Sequence, residues 1–224
     1  PYLAPDLWSL FPNRLDGDGK PEGWATGTLE ELIELNPPER LRQGTVAPYL
    51  DMAALPVRGA CPDPPIFREA GSGARFRSRD TLIARITPCL ENGKTALVDC
   101  LADDEVAWGS TEFIVMRAKG SVPPEFGYLL ARDEQFRAHA IQSMTGTSGR
   151  QRVQADALRG YGLALAPEAV VRAFGDAVSR LFRKITANAR ENETLAATRD
   201  LLLPKLMSGE LRVNDAERIL EPTA

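Results

Sequence analysis

From Pro167 onward the apolar residues recur at alternating spacings of three and four: Val171, Phe174, Val178, Leu181 and Ile185, then Asn188 and Asn192, then Leu195 and Leu202. That spacing is a heptad seam, in which Arg199 is the one charged occupant. Pro167 suits the first helical turn, where its missing N–H costs nothing. The spacing predicts a helix to Leu203. At ~1.5 Å per residue, its roughly 37 residues make a rod of about 55 Å. Pro204 is expected to kink or end it, and Gly209 is a natural terminator. A lone helix cannot hide such a seam. It needs a partner helix, from a second copy or another protein, unless it packs back on its own domain. Asn188 and Asn192 lower the stability of the seam and help to fix its register.

Ahead of that helix the pattern is that of β-structure. Residues 1–23, rich in Pro, Gly and Asp, read as an extended lead-in, and 24–166 as one domain. TLEELIEL reads as a brief helix closed by Asn36-Pro37-Pro38. Residues 40–74 suit a loop-rich β region with an apolar run at Val46 to Leu50. Asp80–Ile86 and Lys94–Val98 read as a hairpin folded at Asn92-Gly93, the residues of a type I′ turn. A further β-run covers Phe113 to Met116. Pro123-Pro124-Glu125 opens a helix from Phe126 to about Ile141, and Leu163 to Leu165 is a last apolar segment. The fold class expected is α+β: mixed, β-rich, with short helices, followed by one long C-terminal coiled-coil helix. Residues 167–213 form that helix and its end, and 214–224 a tail.

The 224 residues carry a formal net charge of −4, which argues against indiscriminate coating of polyanions. The charge is unevenly spread. Arg75, Arg77, Arg79, Arg85 and Lys94 cluster on the hairpin, opposed nearby only by Asp80 and Glu91. Thr145-Gly146-Thr147-Ser148-Gly149-Arg150-Gln151-Arg152 is a hydroxyl-rich basic loop. Arg and Lys make phosphate contacts, Arg also reads guanine and Gln adenine, and Thr or Ser hydroxyls donate to phosphates. These eleven residues outside the glycines (Arg75, Arg77, Arg79, Arg85, Lys94, Thr145, Thr147, Ser148, Arg150, Gln151 and Arg152) are the candidate DNA contacts.

Catalytic patterns fail on inspection. Gly93-Lys94-Thr95 resembles the end of a phosphate-binding loop, but Pro88 stands where its leading Gly is required. Asn36-Pro37-Pro38 is followed by Glu39 in place of the aromatic residue of amino-group methyltransferases. His139 is the one histidine. Cys61, Cys89 and Cys100 are odd in number and far apart, so neither a disulfide framework nor a zinc site is indicated. No signal peptide is visible and no apolar run reaches the ~18–20 residues that span a bilayer, so a reducing cytoplasm is the expected setting.

ARITPCLENGKTALV at 84–98, WGSTEFIVMR at 108–117, TGTSGRQRV at 145–153 and LLLPKLMSGELRV at 201–213 follow the order found in type I restriction–modification specificity (S) subunits, which this chain resembles. Leu10-Phe11-Pro12 and Pro21-Glu22-Gly23-Trp24 are similar to that family's entry to a target-recognition domain. The resemblance implies a non-catalytic reader of double-stranded DNA: residues 24–166 grip one half of a split target. The helix then spaces the halves and docks the methyltransferase (M) subunit, with a restriction (R) subunit as a further partner. It places no cofactor in this chain; S-adenosylmethionine belongs to the M subunit, and ATP and Mg to the R subunit. S subunits typically carry two recognition domains and two spacers, whereas this sequence has one of each. It is therefore a half-subunit that pairs with itself, antiparallel through the seam, or a portion of a longer chain. Because members read different sequences, Arg85, Lys94 and Arg152 are expected to position the DNA backbone or the hairpin. Base readers are expected chiefly in 42–79 and 142–151. The alternatives are a recognition domain of a single-chain restriction–methylation enzyme, or a coiled-coil adaptor whose basic loops are incidental.

Overall fold

The computed structural model describes residues 14–17, 19–147 and 149–211. The motif Leu10-Phe11-Pro12, most of the lead-in, Ser148 and the tail lie outside them. Two compact units are distinguished, Pro1–Phe182 and Arg183–Ala224.

Among the described residues of the first unit, ten strands and four short helices follow one another as β1 (Ala25–Thr28), α1 (Leu29–Leu32), β2 (Ile33–Leu35), β3 (Val46–Leu50), β4 (Ile66–Glu69), β5 (Arg75–Arg77), β6 (Thr81–Ala84), β7 (Thr95–Leu97), β8 (Val106–Gly109), β9 (Phe113–Ala118), α2 (Pro124–Arg132), α3 (Glu134–Gln142), α4 (Ala155–Arg159) and β10 (Gly162–Leu165). One sheet has the order β2-β9-β6-β7, a second β4-β3-β8-β5, and β1 pairs with β10 in a ribbon. Alternation along β6 and β9 explains how the layers stack. Ile83, Ile114 and Met116 face a core shared with Ile33 of the same sheet and with Leu29, Phe136 and Leu158 of the helical layer. Leu82, Phe113 and Val115 face the opposite way, into a core shared with Leu50 and Phe76 of the second sheet. With both faces covered, Leu82–Ala84 of β6 and Phe113–Met116 of β9 are continuous apolar runs, as buried strands should be. The architecture is α+β, as the pattern predicts.

Three local expectations are corrected. TLEELIEL splits: Thr28 N–H donates to Glu31 Oε1 at 2.8 Å to start α1, but Ile33–Leu35 leaves the helix to pair with β9. The single helix expected over 126–141 is two, because Asp133 ends α2 and accepts hydrogen bonds from Gln135 and Phe136 N–H to start α3. The hairpin strands are right, with Thr81 opposite Leu97 and Ile83 opposite Thr95. Their connection is a longer loop, 85–94. Gly93 has φ of 75° while Asn92 does not adopt positive φ, so there is no type I′ turn. The loop contains a cis Thr87–Pro88 bond and buries Leu90 in the helical core. That burial is why the chain departs from a tight turn: a two-residue connection would leave no side chain to reach inward.

The last helix, α5, is Glu168–Met207. Pro204 does not end it, since Ser208 N–H still donates to the Pro204 carbonyl at 3.0 Å; Gly209, at φ of 75°, does. In the first unit Val170 and Val178 are buried and Phe182 meets Tyr128 edge-on at 5.5 Å, so this end of the helix packs on its own domain. In the second unit Ile185 and Leu195 are exposed, 41% and 57%, as are Leu201, Leu203 and Met207. Among the described residues no helix is long and apolar enough to cross a membrane.

Candidate nucleic-acid interface

Two of the sequence motifs are drawn together by backbone. Thr87 N–H donates to the Gln151 carbonyl at 3.0 Å and Val153 N–H to the Arg85 carbonyl at 2.9 Å, so loop 85–94 and loop 145–152 form one surface. Thr145 and Arg152 close the second loop, with N–H donations in both directions of 3.0 and 2.8 Å.

The hub of that surface is Glu112, just before β9. Arg152 donates to it through Nε and Nη2, at 2.9 and 2.7 Å, a two-pronged arrangement that fixes the guanidinium plane. The same hydrogen bonding and charge raise the pKa of Arg152. Arg85 approaches the same carboxylate at 4.0 Å and donates through Nη2 to Gln154 Oε1 at 2.7 Å. Glu112 belongs to the WGSTEFIVMR motif, which was the available signal; nothing in the spacing to Arg85 or Arg152 marks it as their partner.

A second ionic cluster sits behind β5. Glu39, in the segment after β2, accepts from Arg117 and Arg77 at 2.6 Å each, and Arg117 also grips Asp80 at 2.6 and 2.7 Å. Burial alone would raise the Glu39 pKa; the hydrogen bonds and charges of Arg117 and Arg77 outweigh it and hold the carboxyl below its ordinary range. Arg75 donates to the Glu39 carbonyl at 3.2 Å. Asn36, at φ of 51°, bonds Val115 through both its N–H and its side-chain oxygen. The Asn-Pro-Pro stretch is thus a structural corner. Between the clusters opens a groove of about 540 Å³ bordered by Asn36, Pro38, Gly73, Arg75, Arg85 and Thr111.

The other candidates divide. Lys94 reaches away from the groove to the Met52 carbonyl at 2.7 Å and secures the 51–54 turn. Arg132 and Arg137 secure loop 85–94 through the carbonyls of Gly93 and Glu91, each at 2.8 Å, a role the sequence pattern did not reveal. Arg79 holds a left-handed backbone, φ of 70°, with its side chain exposed. Thr147 and Arg150 are exposed at the tip of the second loop. Ser148 lies outside the described residues. The surface therefore has a fixed base, the ion-paired Arg77, Arg85 and Arg152 with Arg75 held on a carbonyl, and an outward rim, Thr147 and Arg150. His139 packs against Tyr161, with ring centroids 5.1 Å apart, away from any acid–base partner named above.

No protein-family model matches the chain. It is 28% identical over 153 residues to the type I restriction enzyme EcoEI specificity subunit of Escherichia coli, covering 66% of this chain and 26% of that one. The crystal structure of the HsdS subunit from Thermoanaerobacter tengcongensis matches with a TM-score of 0.57 at 26% identity, over 86% of this chain and 51% of that chain. The type I restriction–modification S subunit of M. genitalium matches with a TM-score of 0.53 at 14% identity, over 93% and 48%. In sequence and fold the chain matches parts of specificity subunits. It spans about a quarter of the curated relative and half of each solved structure.

Proposed function

We propose that this chain, matched in sequence and fold by type I specificity subunits, carries a non-catalytic recognition unit that reads one half of a split duplex DNA target. The observation that carries this reading is the joining of loops 85–94 and 145–152 around Glu112, with Thr147 and Arg150 outward. Rigid loops hold phosphate ligands at low entropic cost, and an acidic protein with one basic surface selects DNA in a defined orientation. Arg75, Arg77, Arg85 and Arg152 set the shape of the surface and present their remaining N–H groups to phosphate. Arg79, Arg150, Thr147 and Gln151 extend the contact, and bases are read from segments 42–79 and 142–151.

The exposed part of α5 pairs with a second copy and docks the M subunit, which supplies S-adenosylmethionine chemistry to adenine; an R subunit would add ATP- and Mg-dependent cleavage. Two like copies call for a target of inverted halves about one helical turn, ~34 Å, apart. The test is binding of the purified chain, with and without M subunit, to a randomised duplex pool at several salt concentrations. The reading requires enrichment of a split motif. A chain that binds no duplex under either condition is a coiled-coil adaptor instead.

A further inference from the structure

The second sheet ends in an edge strand, β4, that stands clear of the core. All four of its residues are exposed, although the strand is paired along its length with β3, from Val46 opposite Glu69 to Tyr49 opposite Ile66. Ile66 and Phe67, 55% and 68% exposed, are apolar side chains that folding leaves in water. Adjacent exposed apolar groups on an open sheet edge mark a contact surface. On one face of this ribbon Arg68 lies over the Tyr49 ring, its guanidinium carbon 4.8 Å from the centroid, and Tyr49 leans on Trp108 with centroids 4.5 Å apart. Trp108 pairs in turn with Arg75, which borders the groove of about 540 Å³. Arg68 and Arg75 therefore share one face of the sheet at opposite edges, three strand spacings or roughly 14 Å apart. That is the length of about four base steps.

We infer that the β3–β4 ribbon enters the major groove and that Arg68 reads a guanine there, with Ile66 beside it against a neighbouring base. The inference rests on the DNA reading above and adds to it a residue, a groove and a base. A two-stranded ribbon fits the major groove, and Arg bidentate to guanine O6 and N7 is the commonest specific contact made in it. Arg68 is the cation best prepared for that contact. Arg77, Arg85 and Arg152 spend donors on carboxylates and Arg75 on a carbonyl. Among the described residues no hydrogen bond or ion pair occupies Arg68. Arg150 is exposed too, but on a loop tip. Arg68 is carried by a strand and braced on a ring, so it loses less freedom on binding. Successive side chains of a strand alternate between faces, so Ile66 shares the face of Arg68 while Phe67 and Glu69 take the other. The remaining charges sort by position. Arg40 and Arg42, both exposed, flank Leu41, which packs against Trp108, Ala47 and Ala70. Asp51, Arg58 and Asp63 belong to the connection 51–65 at the opposite end of the ribbon from Arg42, where Asp51 accepts from Ala54 N–H at 2.9 Å. The face that carries Arg68 thus presents cations to a polyanion and continues to the groove at Arg75, so one duplex meets both.

The experiment selects duplexes from a randomised pool with the intact chain and its M subunit, for the wild type, Arg68→Ala, Tyr49→Leu and Tyr49→Phe. The wild type is expected to enrich a half-site containing a guanine that Arg68→Ala, at a wild-type melting temperature, no longer demands. Preference for that base should fall about tenfold while the other positions persist. Tyr49→Leu should relax the same position, and Tyr49→Phe, which keeps the ring, should leave it intact. An Arg68→Ala motif identical to that of the wild type overturns the inference. So does uniform weakening over all sequences with a shallower salt slope, which makes Arg68 a phosphate contact. An unchanged motif with loss of M-subunit binding also overturns it, because the ribbon is then a protein interface. A wild type that enriches no motif overturns the DNA reading itself, and the inference with it.

Discussion

Glu112 is an acid at the centre of a surface proposed to meet a polyanion, and this makes its substitution informative. If DNA sensed only net charge there, Glu112→Ala would tighten binding. Because the carboxylate orients Arg85 and Arg152, the substitution is expected to weaken binding to every duplex, by about tenfold for a loss near 1.4 kcal/mol, in a fluorescence titration. Arg152→Lys should behave likewise, since an ammonium cannot reproduce the two-pronged contact. Arg150 is different: exposed at the loop tip, its replacement by Ala should lower the slope of log K against log salt by about one. Unchanged salt dependence would remove Arg150 from the phosphate contacts. The Glu39–Arg117–Asp80 cluster bears on stability. Glu39 and Asp80 are both almost fully covered, so Arg117→Met should cost about 3 kcal/mol by taking the guanidinium from Asp80 and leaving Glu39 with Arg77 alone. Because the folded Glu39 has a depressed pKa, its contribution is present above the ordinary carboxylate range and fades as pH falls through the folded value. The melting-temperature gap between wild type and Arg117→Met is therefore expected to be widest near neutrality and to narrow on acidification.

At the scale of elements, the loop 85–94 shows why rigid recognition surfaces need not be tight turns. Its shape is set by Leu90 in the core and by the carbonyl contacts of Lys94, Arg132 and Arg137. Lys94→Met should thus loosen the 51–54 turn, seen as faster amide exchange there, more than it alters salt dependence; the reverse would return Lys94 to the DNA contacts. The same loop marks how far sequence reasoning reaches. The strands β6, β7 and β9 were legible because burial on both faces writes itself as unbroken apolar runs. The seam of α5 was legible because heptad spacing is local. What was not legible depends on partners far along the chain. Glu39 and Glu112 neutralise arginines dozens of residues away, and Asn92-Gly93 loses its turn preference to Leu90, two positions before Asn92, which finds a core. Asp133, by contrast, is a helix N-cap residue by type, but the apolar period continues through it and hides the break.

At the scale of the whole molecule, the proposed pairing needs a second seam to meet the exposed residues of α5. Leu195→Asp is expected to convert a dimer to a monomer in light scattering while leaving the thermal unfolding of the first unit unchanged, since Leu195 lies outside it. Loss of dimerisation should then remove the preference for a split target while half-site binding persists at lower affinity, the familiar arithmetic of linked sites. The most direct measurement is the selection of duplexes from a randomised pool by the intact chain together with its M subunit. Enrichment of two inverted half-sites at one fixed separation is the predicted result. Recovery of a pool as random as the input would contradict the reading of this chain as a sequence-specific reader of DNA.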